Sequence, residues 1–558
     1  MLEMQDKYDR KSPFRIMVNQ VGYLPDGKKT AVLPFKAESF SIENTGGEVV
    51  FSGTVTHFGM DPLSGDDVYV ADFTELDSVG TYRIVCGDNV SAAFDIAPDV
   101  YNKIFYDLQK AFYYLRCGCE LKQEHAGMYV HKPCHTSAAY VWDHNEKKID
   151  APGGWHDAGD YGRYITAGAC AVAHLLFAFK LYPQCFDKKS LNIPESGNGI
   201  PDILNECKYE LEWFLKMQRE DGAVYHKLST LHHAAFVMPE DDPGELYAYP
   251  ISSMATADFA AVCAMACGIY EKFDKGFSIR LHKAALCAYE WLCKNPEFVG
   301  FRNPQGTGTG EYGERDDFSN RYWAAAAMYS LTGREQYHLD MKRYMKMKFP
   351  LWHFGYGEVG GFGSLEYLIS QQEKDSHLVD TLGQLLESEV DRLKELAGEN
   401  GYGVAMGRND FCWGSNMNVM KHGMTFGVAD YLFGQKGIIR KGKISAGLVN
   451  LAMGQIDYLC GVNPLGICYV TGNGAFRCNY PHLRPAHTDG IEECIPGMVS
   501  GGPNMGLQDA VAKQVIPPGT PPMKCYADHV FAYSLNEITI YWNSPAVFTF
   551  AYVYGDLV

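Results

Sequence analysis

The sequence predicts two domains: a small all-β immunoglobulin-like sandwich over residues 1–98, and an all-α barrel over residues 99–558. Three observations predict this. Short β-type runs fill the first hundred residues, the apolar spacing becomes helical at Val100, and about twelve helical stretches follow. With 46% apolar and 21% charged residues, the 558-residue chain also has enough material for a large core.

The first domain is predicted from six or seven short runs that are rich in β-branched and aromatic residues. Gly46-Gly47, Asp61-Pro62 and Gly80 interrupt these runs at short intervals, and Pro98 closes the domain. Strands of this length and spacing are typical of an immunoglobulin-like sandwich. The runs are FRIMVNQVGYL, KKTAVLPF, SFSIEN, EVVFSGTV, DVYVADF, GTYRIVC and AAFDIAP.

The second domain is predicted from apolar residues at helical spacing, with long loops rich in Gly, Pro and Asp between them. Twelve helices in about 460 residues fit an α/α toroid, in which paired helices form an inner and an outer ring. The loops would then gather on one face and carry the function. The predicted helices are 101–117, 162–182, 200–218, 254–273, 278–294, 319–333, 335–347, 363–372, 376–396, 414–432, 443–460 and 529–542.

Charge and composition exclude several classes of protein. Lys and Arg number 49 against 67 Asp and Glu, a net charge of −18, so we expect no nucleic-acid partner. No uninterrupted apolar run reaches the ~18–20 residues of a membrane span, so we expect no membrane association. The polar N-terminus lacks a secretory signal, which predicts either a cytoplasmic protein or the prior removal of a leader. The 17 Cys show no framework spacing and indicate buried thiols. We expect a monomer.

The densest local motif is GGWHDAGDYG at residues 153–162, where Asp157 and Asp160 stand three residues apart before a predicted helix. This spacing directs both carboxylates into the same space, where the helix N-terminus would favour their ionised forms. Such a pair can hold a water molecule and take a proton from it. One alternative is a capped helix start with solvated acids. Another is half of a two-metal phosphohydrolase site, which would need further His and Asp ligands.

A second motif lies near the C-terminus, where Glu537 stands among apolar and aromatic residues. Partial desolvation there would raise the pKa of Glu537, as a general acid requires. The alternative is a surface glutamate on an amphipathic helix. Ionised aspartates together with one protonated carboxylic acid are the groups that an inverting glycosidase uses.

These motifs resemble glycoside hydrolase family 9. GGWHDAGDYGRY matches the paired-aspartate motif of the family, and Tyr526-x-Asp528-x4-Tyr533-x3-Glu537 matches its glutamate motif. The segments SGNGIPDIL at 196–204 and DYLCGVNPLG at 457–466 are also similar, and NQVGY at 19–23 resembles the start of the immunoglobulin-like domain found in many members.

The resemblance implies an (α/α)6 barrel and hydrolysis of β-1,4-glucosidic bonds with inversion. By position, Asp160 is then the general base, Asp157 helps to hold the water and Glu537 is the general acid. His482 and Arg484 match a His-x-Arg element that binds sugar. The preceding GNGAFRCNY departs from the family pattern, because Phe476 stands where a polar or basic residue is usual.

Two metals follow from the same resemblance. Cys117, Cys134, His135 and His156 have the ligand types of a closed structural zinc site, as in family members with the immunoglobulin-like domain. Cys119 and His131 are competing ligands, and buried free thiols are the alternative. Calcium is common in the family, and the loop with Glu314, Asp316 and Asp317 offers hard oxygen ligands. A solvated acidic loop explains these residues as well.

The expected activity is that of an endoglucanase acting on cellulose-type glucans, mixed-linkage glucans or cello-oligosaccharides. Trp155, Trp413 and Tyr533 are candidate platforms on which sugar rings stack. The chain continues for only 21 residues after Glu537 without a carbohydrate-binding module, which favours soluble or amorphous glucans. The alternatives are an exo-acting cellodextrinase, an exo-β-glucosaminidase, or a sugar-binding protein with an inactive site.

Overall fold

The computed structural model describes residues 7–8, 10–142, 144–186, 190–439 and 447–557. Their Cα atoms divide into two compact units. The first unit comprises the described residues of 1–111, 390–430 and 445–558, and the second those of 112–389 and 431–444.

The N-terminal part of the first unit is a seven-stranded antiparallel arrangement in the order β1-β4-β3-β2-β5-β6, with β7 also paired to β5. The long strand β3 pairs with β2 through its first half and with β4 through its second half, so it joins two groups of strands. The strands are β1 (Thr30–Leu33), β2 (Ser39–Asn44), β3 (Val49–Met60), β4 (Asp67–Asp72), β5 (Gly80–Cys86), β6 (Asn89–Val90) and β7 (Phe94–Ile96).

Alternating inward side chains of these strands share one core, which includes Leu33, Phe40, Ile42, Ile84 and Ile96. The alternation has the period of two that a half-buried strand requires. The opening NQVGY segment also reaches the helical part of the same unit, because Asn19 Nδ2 donates to Asp457 Oδ1 at 2.8 Å. Two motifs that the sequence analysis singled out are therefore bonded to each other.

Twelve helices of at least ten residues lie in the described part of the chain. The even-numbered helices are buried on nearly all sides, whereas most odd-numbered helices bury only one face. The helices are α1 (Asn102–Tyr114), α2 (Ile165–Leu181), α3 (Asp202–Met217), α4 (Ser253–Tyr270), α5 (Lys275–Lys294), α6 (Phe318–Thr332), α7 (Glu335–Tyr344), α8 (Gly360–Ile369), α9 (Ser376–Gly398), α10 (Ser415–Ala429), α11 (Leu448–Leu459) and α12 (Ile540–Leu557).

Consecutive helices pack within each unit. In the second unit, α4 packs against α2, α5 and α6, and α6 packs against α7 and α8. In the first unit, α10, α11 and α12 pack against one another. Helix α4 has 18 residues and a mean hydropathy of 1.4, but 89% of it is buried inside the protein. Its apolar composition is therefore accounted for by the neighbouring helices that cover it.

Two predictions about secondary structure were wrong. The predicted helix 529–542 is a short turn, Tyr533–Asn536, followed by extended backbone at Glu537 and by α12 from Ile540, so Glu537 does not lie on a helix. The loops that were predicted between helices contain a five-stranded sheet in the order β10-β11-β12-β8-β9. All of its strands except β9 have only two or three residues, too few to show a period of two. The strands are β8 (Ala139–Val141), β9 (His144–Ile149), β10 (Arg163–Tyr164), β11 (Lys227–Ser229) and β12 (Tyr247–Ala248). Part of the predicted helix 443–460, residues 443–446, lies outside the described residues.

Candidate functional site

The second unit contains the aspartate cluster, which we define as Asp157, Asp160 and the side chains bonded to them. The loop that carries both aspartates is held by main-chain bonds, because His156 N donates to Leu115 O and Cys117 N donates to Gly154 O, both at 2.7 Å. Gly154 has a φ of +77°, and a Cβ atom there would lie 2.8 Å from the Trp213 ring. Only glycine fits this position.

Asp157 is almost completely buried, with an exposed fraction of 1%. Its Oδ2 accepts a hydrogen bond from the Tyr312 hydroxyl at 2.5 Å, and its Oδ1 has no hydrogen-bond partner among the described residues. Burial raises the pKa of Asp157 well above its ordinary value, the charge of Asp160 raises it further, and the Tyr312 hydrogen bond lowers it. The prediction that the helix N-terminus would favour the ionised form of Asp157 was wrong in direction, because desolvation is the larger effect.

Asp160 lies just before β10 and is also buried. Its Oδ2 is 2.7 Å from Nδ1 of His233, whose side chain is 39% exposed. His233 belongs to residues 230–247, which line a cavity of about 480 Å³ between β11 and β12 in the chain. Asp160 is therefore bonded to a histidine that lines this cavity.

Lys227, on β11, is a buried cation close to this cluster. Its Nζ donates to Asn303 Oδ1 at 2.6 Å, Thr309 Oγ1 at 2.9 Å and Gly310 O at 2.6 Å. Burial lowers the pKa of Lys227 to about 7, although the charges of Asp160 and Glu311 act to raise it. Lys227 thus fixes the segment that leads to Tyr312.

Sequence reasoning missed His233, Tyr312 and Lys227. The only signal for His233 was the His232-His233 pair in a loop ahead of Pro239-Glu240-Asp241-Asp242. Tyr312 and Lys227 carried no signal, because their roles depend on contacts between segments 83 and 155 residues apart.

Next to the aspartate loop, the structure brings together the four residues that were predicted as zinc ligands. One donor atom from each of Cys117, Cys134, His135 and His156 lies within 4.8 Å of the others. Nε2 of His135 is 3.2 Å from Asp242 Oδ2, and its buried Nδ1 has no hydrogen-bond partner in the described part of the chain. A histidine that binds a metal typically uses one ring nitrogen for the metal and hydrogen-bonds the other to a carboxylate. In His135, Nδ1 is available for the metal and Nε2 is paired with Asp242. The donor set and its burial therefore fit zinc.

The competing ligands His131 and Cys119 are not among the four residues whose donor atoms converge. His131 shares the bonding pattern of His135, because its Nδ1 is 2.7 Å from the Lys132 carbonyl and its buried Nε2 has no hydrogen-bond partner among the described residues. The convergence of donor atoms therefore distinguishes the four residues from His131, and Cys119 is only half-buried.

Trp155 departs from its predicted role as a sugar platform. The side chain is fully buried and its ring packs on Phe112, with centroids 4.9 Å apart. Its main-chain and indole N–H groups donate to Glu210 and Glu206 of α3 at 2.6 and 3.3 Å. Trp155 thus holds the aspartate loop against α3, and its buried ring cannot stack on a ligand.

The residues of the predicted calcium site form bonds within the protein. Asp317 forms a buried ion pair with Arg321 at 2.7 Å, and Asp316 accepts the Phe318 N–H at the start of α6. Glu314 instead shares Asn320 Nδ2 with Asp258, at 3.4 and 3.0 Å. Burial raises the pKa of both carboxyl groups, that of Asp258 to about 8. All three predicted oxygen ligands therefore already have protein partners.

The first unit contains the glutamate cluster, which we define as Glu537 and the segments bonded to its backbone. Glu537 is half-buried, and its carbonyl accepts the Gly501 N–H at 2.8 Å. His482 forms a β-bridge with Glu537, and its N–H donates to the Asn536 carbonyl at 2.8 Å. The predicted sugar-binding histidine and the predicted general acid therefore lie on paired backbone segments.

The side chains of Asn536 and His482 hold the segments around Glu537 in place. Asn536 donates through Nδ2 to Tyr480 O at 2.6 Å and to Asp528 Oδ1 at 3.1 Å. His482 directs Nδ1 to the Val530 carbonyl at 2.6 Å. Arg484 is buried at the first position of a short helix, Arg484–Thr488. The order of the cluster thus comes from side-chain to backbone hydrogen bonds.

Exposed aromatic rings adjoin the glutamate cluster. Trp413 and Tyr533 are 39% and 37% exposed, and their ring centroids are 5.5 Å apart. Tyr533 also lies 5.7 Å from the His482 ring. Rings that remain exposed next to polar donors are suited to stacking on a sugar.

Comparison with known proteins gives a consistent result. Residues 101–550 match the family described as Glycosyl hydrolase family 9, and residues 11–91 match the Cellulase N-terminal ig-like domain. A cellodextrinase from Butyrivibrio fibrisolvens is 45% identical over 555 residues, which cover 96% of this chain and 98% of that protein. Endoglucanase D from Acetivibrio thermocellus is 34% identical over 549 residues, which cover 96% of this chain and 83% of that protein.

A solved structure agrees with these matches. A single mutant of a thermostable endoglucanase from Alicyclobacillus acidocaldarius superimposes with a TM-score of 0.90 at 35% identity, covering 97% of this chain and 100% of that chain.

Proposed function

The chain belongs to glycosyl hydrolase family 9, and from that premise we propose which of its residues carry out the hydrolysis. The chain is an inverting glycoside hydrolase that cleaves β-1,4-glucosidic bonds, with an immunoglobulin-like domain ahead of its catalytic domain. In the proposed assignment, Asp160 is the general base, Asp157 helps to hold the attacking water and Glu537 is the general acid. The substrate is a β-glucan or a cello-oligosaccharide.

The observation that carries this assignment is the unequal environment of the two aspartates. Asp160 pairs with the exposed His233, which lines a cavity, whereas Asp157 is more deeply buried and bonded to Tyr312. A base must reach the water it deprotonates, so Asp160 suits that role and Asp157 suits the holding of the water. Asp160 takes a proton from the water, whose oxygen bonds to the anomeric carbon. The bond to the leaving oxygen breaks as Glu537 transfers its proton to that oxygen.

Sugar binding is assigned to groups of the glutamate cluster. Trp413 and Tyr533 supply exposed ring faces, and the half-buried His482 and the buried Arg484 supply polar groups in the segment paired with Glu537. Trp155 is left out of this assignment because it is fully buried.

The stereochemistry gives a direct test of the assignment. Proton NMR of the earliest products from cellotetraose should show the α-anomer first, because an activated water attacks the face opposite the leaving group. An initial β-anomer would mean that one of the carboxylates is a nucleophile, and it would overturn the assignment.

The main candidate is an endoglucanase, and a cellodextrinase is the second candidate because a protein of that name is 45% identical over almost the whole chain. Products of cellohexaose, resolved by length over time, distinguish the two. Random early products indicate endo action, and steady release of one short product indicates exo action. An inactive sugar-binding protein would release nothing.

The helical domain is proposed to be an (α/α)6 barrel. Support comes from the twelve helices of the described residues, which alternate between nearly complete and largely one-sided burial. This is the pattern expected of an inner ring that is covered by an outer ring.

We further propose that Cys117, Cys134, His135 and His156 hold a structural zinc ion. Zinc with two thiolates and two imidazoles has a closed shell that cross-links the protein without an open position for water. His156 precedes Asp157 directly, so these four residues fix the loop that carries the aspartates. Calcium at Glu314, Asp316 and Asp317 stays a prediction, and the ion pair of Asp317 with Arg321 weighs against it.

A further inference from the structure

Lys7, Tyr8 and Arg10 form a short arm against the segments that hold the glutamate cluster, and we call these three residues the N-terminal arm. Arg10 Nη1 is 2.6 Å from Asp528 Oδ2 and donates to the Arg477 carbonyl at 3.0 Å. The Tyr8 ring is buried, with its centroid 4.1 Å from the His529 ring and 5.2 Å from the Tyr480 ring. The arm therefore lies against two segments of the first unit that are distant in sequence.

Asp528, the ion-pair partner of Arg10, connects both of these segments. Its carboxylate accepts the N–H groups of Asn479 and Tyr480 at 2.9 and 2.8 Å. It also accepts Nδ2 of Asn536, the residue before Glu537, at 3.1 Å. The Asp528 side chain is only 4% exposed, and a carboxylate buried to this extent is stabilised by a paired cation. Arg10 supplies that cation.

The departure from the family pattern at Phe476 fits the same contact. The Arg10 guanidinium lies 5.0 Å from the centroid of the Phe476 ring and 5.6 Å from that of Tyr480. A guanidinium gains from stacking on an aromatic face, and a polar or basic side chain at 476 would not offer one. The unusual Phe476 is therefore complementary to the arm.

We propose that Arg10 is a positioning residue for hydrolysis, which acts through Asp528 and Asn536 on the placement of Glu537. This inference rests on the proposed role of Glu537 as general acid. Arg10 is far from Glu537 in sequence, but it contacts Asp528, and Asp528 contacts Asn536, the residue before Glu537. Displacement of a catalytic group by about 1 Å can cost ~10²-fold in rate, so a partial loss of order should be measurable.

The test compares two substrates in the full chain. Arg10→Gln should lower kcat on cellotetraose ~10-fold with little change in KM. The loss should be smaller on an aryl β-cellobioside with a good leaving group, because that substrate needs less proton transfer from Glu537. Arg10→Lys should recover part of the activity, since it restores the charge but not the stacking. Arg15→Gln is the matched control, because Arg15 lies over Phe35 in the β domain.

Two results would overturn the inference: full activity of Arg10→Gln on both substrates, or equal losses on both that follow the fraction of folded protein. If Arg10→Gln does not fold, Phe476→Leu carries the test. This variant keeps the ion pair and removes the ring on which Arg10 stacks. Its kcat should again fall more on cellotetraose than on the aryl β-cellobioside, but both losses should be smaller than those of Arg10→Gln. A wild-type protein that releases no sugar from either substrate would overturn the proposed function and this inference together, whereas an active Arg10→Gln overturns only the inference.

Discussion

The aspartate cluster is buried, with Asp157 and Asp160 1% and 6% exposed, whereas the glutamate cluster leaves Glu537 half-buried beside exposed aromatic rings. The first cluster gathers buried ionisable groups whose pKa values are moved by desolvation. The second is ordered by hydrogen bonds between side chains and backbone. This difference suits their proposed roles, because the enclosed Asp157 can hold a water molecule for Asp160, and the half-buried Glu537 can take up a new proton from solvent after each turnover.

The largest effect is expected from the carboxyl groups themselves. Glu537→Gln should lower turnover of cellotetraose by about 10²–10⁴-fold, the usual contribution of an acid–base group. An aryl cellobioside should lose less, because its leaving group needs little protonation. Asp160→Asn should lose activity on both substrates, since both need an activated water. Initial rates of the two variants on the two substrates measure this, and equal losses of Glu537→Gln on both would contradict its acid role.

Tyr312→Phe tests whether the enclosure of Asp157 matters for catalysis. A hydrogen bond to a charged group contributes about 1.5–3 kcal/mol, so kcat/KM should fall ~10–100-fold. The Tyr312 hydrogen bond lowers the pKa of Asp157, and its removal raises that pKa further. The acid limb of the pH–rate profile should therefore move to higher pH.

Tyr356→Phe is the control for this variant. The Tyr356 hydroxyl donates to Gly313 O, and its ring packs on Tyr312 at 4.9 Å. It should leave the acid limb in place, and the same shift in both variants would rule out a specific role for the Tyr312 hydroxyl.

Metal loss should affect the aspartate cluster through its loop. Protein purified without added metal should contain about one zinc per chain, and Cys134→Ser should lose it. Since the binding energy of a structural metal is folding energy, the thermal midpoint should fall by ~5–10 °C, with a several-fold loss of activity. Cys412→Ser replaces an exposed thiol and should keep the wild-type thermal midpoint and activity. Zinc-free wild-type protein that is fully stable and active would exclude the site.

The smallest effect on activity is expected at Asp457, which belongs to neither cluster. Burial raises its pKa to about 7, although the Asn19 hydrogen bond lowers it. In the unfolded chain the pKa of aspartate is about 3.9. Between pH ~3.9 and pH ~7, the folded state therefore holds a proton on Asp457 that the unfolded state has lost. The free energy of unfolding should therefore fall as pH rises from about 4 to about 7. Asp457→Asn keeps an acceptor for Asn19 and should flatten this slope. Urea unfolding across that range measures it, and identical slopes would show that Asp457 is already ionised.

The proposed roles of Asp157, Asp160 and Glu537 rest on short sequence motifs. The zinc proposal rests on four residues of characteristic ligand type, whose donor atoms the structure brings together. The burial of Trp155 could not be predicted, because a tryptophan beside glycines reads equally well as a platform or as an anchor. His233 and Lys227 lie on or next to strands of two or three residues, whose pairing depends on segments far apart in the chain. The extended backbone at Glu537 is set by its bridge to His482, which competes with local helical preference.

The bond between His135 and Asp242 has a consequence for redesign of the enzyme. Asp242 belongs to the same 230–247 loop as His233, and it holds the outer nitrogen of a proposed zinc ligand. A graft that exchanges this loop to change substrate preference would therefore also remove a partner of the metal site. Libraries that keep Asp242 fixed while varying its neighbours should retain folded, metal-loaded protein more often than libraries that vary the whole loop. Changes in substrate preference can then be selected separately from losses of stability.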